Sequence, residues 1–294
     1  MDFHLPYLFF YFSSLRMKNI KMYNRIFIST SGSNTLTTLG ALQRIERLLK
    51  NTIIWNVAGT GALIIFLKCL GFTFKQIYEK ISEIPFLNNF VPNSSLSVSK
   101  KNMKEFEVFM HDWLFEKLKA TKIHKPDITL GDIYESTKFV PCFIIYNKKR
   151  RELEILNPFK HRNFILIDAV MASISNASLF EYEMDKTVFG DVLNVNAYPH
   201  SMSVDLGQDV NVKTLWVYND STIESTDDDL GPFQIIEDRL MRDFTERSYQ
   251  RFKNLEVKNS DSALILYSKL YRGDSSISDN ENLYREGSKQ GELF

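Results

Sequence analysis

Hydrophobic and polar positions follow two different periods along this chain, and the order of those periods predicts an α/β fold. Arg25-Ile-Phe-Ile-Ser29 is a short apolar run that reads as a buried strand. The polar stretch Thr30 to Thr35 turns it into a helix, where Leu39, Leu42, Ile45, Leu48 and Leu49 recur at helical spacing between Leu36 and Leu49. Thr52 to Val57 supplies a second strand. After the small-residue turn Ala58-Gly-Thr-Gly61 comes a nearly uniform apolar segment, Ala62 to Leu70, stopping at Gly71. A helix that is apolar all round belongs in a core.

Downstream, Thr73 to Ile81 has an amphipathic helical pattern, Pro92 to Asn102 is a polar linker, and another helix runs to about Ala120. Thr129-Leu-Gly-Asp132 has capping-box form for a short helix ending near Thr137. Phe139 to Tyr146 and Glu152 to Leu156 are strands joined by the basic turn Asn147-Lys-Lys-Arg-Arg151, read as a solvated hairpin tip rather than a headgroup contact. Ile165 to Ser175 and Phe233 to Phe252 are predicted helices; Thr187 to Phe189, Thr214 to Tyr218 and Ala263 to Tyr267 are predicted strands. Strands that alternate with helices in this way imply a mostly parallel sheet covered on both faces.

The flanks differ. Residues 1–22 form an apolar leader, aromatic over Leu5 to Phe12, too short to span a bilayer and without the basic lead of a signal peptide. Residues 273–294 are polar with no apolar period, and a disordered tail is expected there.

Composition narrows the partner. A chain of 294 residues with 44% hydrophobic content can bury a substantial core. Lys plus Arg equals Asp plus Glu at 36 each, which argues against nucleic acid and for a neutral or amphiphilic partner. Cys69 and Cys142 sit in apolar stretches, and no Cys/His cluster has zinc spacing, so neither a metal nor a cofactor is expected. That cysteine usage fits an intracellular, cytoplasmic setting, with peripheral membrane association as the open alternative.

Three blocks then stand out: Ile28-Ser-Thr-Ser-Gly-Ser-Asn-Thr35 with the helix that follows, Val57-Ala-Gly-Thr-Gly-Ala-Leu63, and Asp191-Val-Leu-Asn-Val-Asn-Ala-Tyr-Pro199. In order and spacing they resemble the signature blocks of patatin-like phospholipases. Ile167-Asp-Ala-Val-Met-Ala-Ser-Ile-Ser175 resembles the helix preceding that family's catalytic aspartate. The resemblance covers about Arg25 to Tyr218. It implies a three-layer α/β/α patatin-like domain over residues 23–272, hydrolysing acyl esters with a Ser-Asp dyad.

Each part of that chemistry can be checked. Such a dyad needs a serine on a tight strand-to-helix elbow, a carboxylate to take its proton, and backbone N–H groups to hold the oxyanion. Counting back from Leu70-Gly71-Phe72 puts Gly59 at the nucleophile position, so the serine is lost. The oxyanion loop falls on Ser31, Gly32 and Ser33, where one glycine remains, and the family's later glycine falls on Thr35. Asp191 survives as the acid of the dyad.

Thr60 is the alternative nucleophile, within the small-x-Thr-x-small pattern Ala58 to Ala62, although a β-branched residue is poorly suited to positive φ. None of His4, His111, His124, His161 and His200 lies in a pattern that rebuilds a triad. The chain therefore reads as a degenerate, inactive member that binds acyl chains or a membrane surface. The alternative is an active lipid acyl hydrolase using Thr60 or another hydroxyl with Asp191.

Overall fold

The computed structural model describes residues 23–30, 34–84, 100–121, 125, 127–175, 182–189, 214–223, 263–270 and 277–294. Its strands are β1 (Arg25–Thr30), β2 (Ile54–Gly59), β3 (Val140–Asn147), β4 (Glu152–Leu156), β5 (Tyr182–Met184), β6 (Thr187–Phe189), β7 (Thr214–Ile223) and β8 (Ala263–Leu270). Its helices are α1 (Asn34–Arg44), α2 (Gly61–Cys69), α3 (Phe74–Ile81), α4 (Lys100–Lys119), α5 (Leu130–Thr137), α6 (Leu166–Ile174) and α7 (Ile277–Leu293).

The strands form one sheet in the order β5-β6-β3-β2-β1-β7-β8, with β4 beside β3. From β3 through β2, β1 and β7 to β8 every pairing is parallel, while β4, β5 and β6 add antiparallel partners at one side. The central position of β1 explains its sequence. All six of its residues are buried, as a strand covered on both faces requires.

Side chains alternate between two cores. Ile26, Ile28, Trp55, Val57, Phe143, Ile145, Leu215 and Val217 join the large cluster shared with α1, α2, α5 and α6. Phe27, Ala58 and Ile144 face the other way, in a smaller cluster packed with Trp216.

Local signals set the helix ends. Thr129 accepts from the Asp132 N–H while the Asp132 carboxylate accepts from the Thr129 N–H, the capping box expected for α5; α3 has the same device between Thr73 and Gln76. The expected single helix over 36–49 is two elements. α1 begins at Asn34 and ends at Arg44, and a tighter 3₁₀ turn, Glu46–Leu49, follows.

The C-terminal segment departs most from expectation. Within the tail predicted to be disordered, residues 277–293 form α7, which packs along α1. The docking uses glycine rather than a large apolar stripe. A Cβ built on Gly40 would fall onto the Tyr284 carbonyl, and one on Gly287 onto the Thr37 carbonyl. At Gly291 it would lie 2.8 Å from the Ala41 carbonyl oxygen. Leu283 is buried, the Tyr284 ring lies 4.0 Å from that of Tyr78, and Arg44 bonds Glu292.

The leader over residues 1–22, most of the 92–102 linker and the predicted helix over 233–252 lie outside the described residues. Among the described residues, no helix is long and apolar enough to cross a membrane.

Candidate active site

At its C-terminal end β2 passes through a sharp turn into α2. Gly59, its last residue, has φ +62°, and Thr60 follows with φ −66° and ψ −9° as the N-cap. Positive φ is ordinary for glycine and costly for a residue with a Cβ. Space is restricted as well as torsion: a Cβ on Gly59 would lie 2.5 Å from the Thr30 carbonyl oxygen. Thr30 is the parallel-register partner of Gly59 at the end of β1, so sheet pairing itself carries that carbonyl to the turn.

The Thr30 oxygen already accepts two hydrogen bonds. The Thr60 N–H donates to it at 3.1 Å, and so does the Thr60 hydroxyl at 3.1 Å. The Thr35 and Thr60 hydroxyl oxygens are 2.5 Å apart. A carbonyl only accepts, so the Thr60 hydroxyl gives its proton to Thr30 and receives the proton of Thr35. The result is a closed chain from α1 through the elbow to β1.

This arrangement bears on the chemistry an elbow can perform. A hydroxyl nucleophile must be open to substrate and within reach of a base. Thr60 is 4% exposed, and the described acceptor for its proton is a carbonyl, which is no base at neutral pH. The backbone N–H after the turn residue is a natural oxyanion donor in strand-to-helix elbows. Here that N–H is committed to Thr30.

Ser31, Gly32, Ser33 and Asp191 lie outside the described residues. Thr35 lies in the first turn of α1, fully buried against Thr60. The sequence places Thr30 at the start of the eroded glycine cluster but gives no sign of this role, because its carbonyl rather than its side chain does the bonding.

Cys69, Cys142, His161 and Asp168 are each buried or hydrogen-bonded. Both cysteines are free and buried; burial pushes the Cys142 thiol up to about 12 and that of Cys69 higher, so neither supplies a thiolate. His161 Nδ1 accepts from the Asn157 N–H at 3.4 Å, and burial lowers its pKa. On α6, Asp168 accepts from the Tyr182 hydroxyl at 2.5 Å, while burial, with that carboxylate, holds the phenol protonated. The Asp168–Tyr182 bond fastens α6 to β5.

The sequence matches no protein-family model and no curated protein. Among solved structures the chain is similar to VipD from Legionella pneumophila, at 14% identity and a TM-score of 0.56, with 92% of this chain aligned to 66% of that one. It is also similar to the type III effector protein ExoU, at 13% identity and a TM-score of 0.46 over 92% of this chain and 52% of that one. A third similar structure is full-length ExoU in complex with SpcU, from the type III secretion system of Pseudomonas aeruginosa, at 10% identity, a TM-score of 0.48 and the same coverages. The chain thus spans less than two thirds of the length of each. The likeness to VipD is one of fold, and that fold is patatin-like: helices flanking a mostly parallel central sheet.

Proposed function

We propose that this chain is a patatin-fold protein whose acyl-transfer site is silent and which acts by binding, its partner a lipid acyl chain or a membrane surface. The observation that carries this reading is the Thr30 carbonyl, 2.5 Å from where any side chain on Gly59 would begin. Position 59 lacks a hydroxyl and lacks room for one, and the N–H that follows it is committed to the Thr30 carbonyl rather than free to hold an oxyanion. In this reading Gly59 occupies the lost nucleophile's position, and Asp191 is a structural remnant of the dyad. The two buried free cysteines support a reducing, intracellular setting.

A fluorophosphonate probe on the full chain, with ester turnover measured in parallel, tests this. No covalent adduct and no hydrolysis are expected. An adduct mapped to Thr60, Ser31 or Ser33, with turnover abolished by Asp191→Ala, would overturn it. Gly59→Ser is expected to restore no activity and to cost about 1 to 3 kcal/mol through backbone strain. Recovery of hydrolysis in that single variant would contradict the account of the turn. Flotation with phosphatidylcholine vesicles tests the lipid half, and absence of any association would remove it.

A further inference from the structure

The opposite end of the sheet, beside the N-terminal ends of β2 and β3, carries a cavity of about 930 Å³. Its cations are Arg44, Arg47, Lys50 and Lys68, against a single acidic lining residue, Glu46. Their convergence follows from local geometry. Arg44 ends α1, and the chain then tightens into the 3₁₀ turn Glu46–Leu49. Arg44, Arg47 and Lys50, spaced three residues apart across this tightening, are all exposed and line the cavity. Lys68 enters from the last turn of α2, its Nζ 3.8 Å from Glu46 and 4.5 Å from the Phe74 ring centroid.

The charges are unevenly satisfied. Arg44 bonds Glu292 and Lys68 lies near Glu46. Arg47 and Lys50, both exposed, have no acidic partner among the described residues. Behind them lie the buried rings of Trp55 and Phe74. A concave site with an excess of one charge sign over apolar rings concentrates its field.

The basic hairpin turn provides a contrast within the same molecule. Arg150 there lies 3.6 Å from Glu152 and 3.4 Å from Glu154, at a hairpin tip joining β3 to β4. Cation number is similar in the two places. Enclosure is not: the hairpin cations stand on an exposed turn.

We propose that this cavity binds a phosphate-bearing anion, with Arg47 and Lys50 as its principal contacts and Arg44 and Lys68 flanking. Guanidinium groups engage phosphate oxygens in pairs, and the volume leaves room for a sugar-phosphate or headgroup-sized ligand. The phosphate belongs either to a soluble small molecule or to an anionic lipid headgroup. Ser288 contributes to the lining, so the site is complete only with α7 docked. The proposal is independent of whether the elbow is silent.

The test is calorimetric titration of the full chain with inorganic pyrophosphate, alongside flotation on phosphatidylcholine vesicles with and without phosphatidic acid. Saturable binding is expected, weakened about tenfold or more by Arg47→Glu with Lys50→Glu. The milder pair Arg47→Gln with Lys50→Gln should give a smaller loss and guards against misfolding. Lys149→Glu with Arg151→Glu, removing equal charge from the hairpin turn, should leave affinity unchanged within about twofold. Flotation that requires phosphatidic acid and is lost only in the Arg47/Lys50 variants assigns the phosphate to lipid. Pyrophosphate binding without such flotation assigns it to a soluble ligand. Absence of saturable binding to either probe, or equal weakening by both charge-reversed pairs, would overturn the proposal.

Discussion

α2 and α7 are both packed into the molecule, and they do so by opposite chemistry. In α2 every residue except Lys68 is buried, and the contact is made by leucine, isoleucine and phenylalanine side chains. In α7 the buried positions among the described residues are Asn280, Leu283, Gly287 and Gly291, one stripe at helical spacing with one large apolar side chain. α2 is held by the transfer of apolar surface out of water. α7 is held by close backbone approach, where many small dispersion contacts replace a few large side chains. The comparison shows that a helix can be integral to a core without an apolar composition.

Substitutions can break or sharpen this contrast. The largest effect is expected from Phe66→Ala in α2, where a fully buried ring is removed; urea unfolding should show a loss of about 3 to 5 kcal/mol. Gly287→Leu in α7 should cost about 1 to 3 kcal/mol by the reverse mechanism, adding volume where a carbonyl already sits. Hydrogen exchange should locate that loss in α7 and α1. Unchanged protection there would mean that the glycine seam is not what holds the helix.

Thr60→Val, at the start of α2, removes a hydroxyl between Thr35 and Thr30 while keeping its shape. A loss of about 1 kcal/mol is expected in the same unfolding assay, with probe labelling unaltered. The smallest effect should come from Glu292→Gln, which breaks an exposed ion pair with Arg44. Less than about 1 kcal/mol is expected, falling further in high salt; a larger loss would make charge rather than close packing the chief tie of α7.

The same contrast explains what was legible in the sequence. β1, β2, β3, α2 and α6 were readable because central strands and buried helices are written in apolar residues, and α5 because its cap has its own signature. α7 was misread as a disordered tail because glycine carries no hydrophobicity, although Gly287 and Gly291 are what allow the close approach. At the elbow, the glycine at position 59 was visible in the sequence. The obstruction was not: it arises from the Thr30 backbone, brought there by strand register, and no residue identity encodes a carbonyl direction.

The α1–α7 seam also bears on how the chain reaches this structure. Arg44 and Glu292 are 248 positions apart, so a ribosome delivers one side of the seam long before the other. Contacts of such separation form late, after the loop they close has been ordered by more local pairings. While the chain is still being synthesised, the face of α1 bearing Thr37, Gly40 and Ala41 waits without its partner. Because that face is small and polar rather than oily, the delay exposes little surface that would drive aggregation. A glycine seam is thereby suited to an element that docks long after its partner has been made.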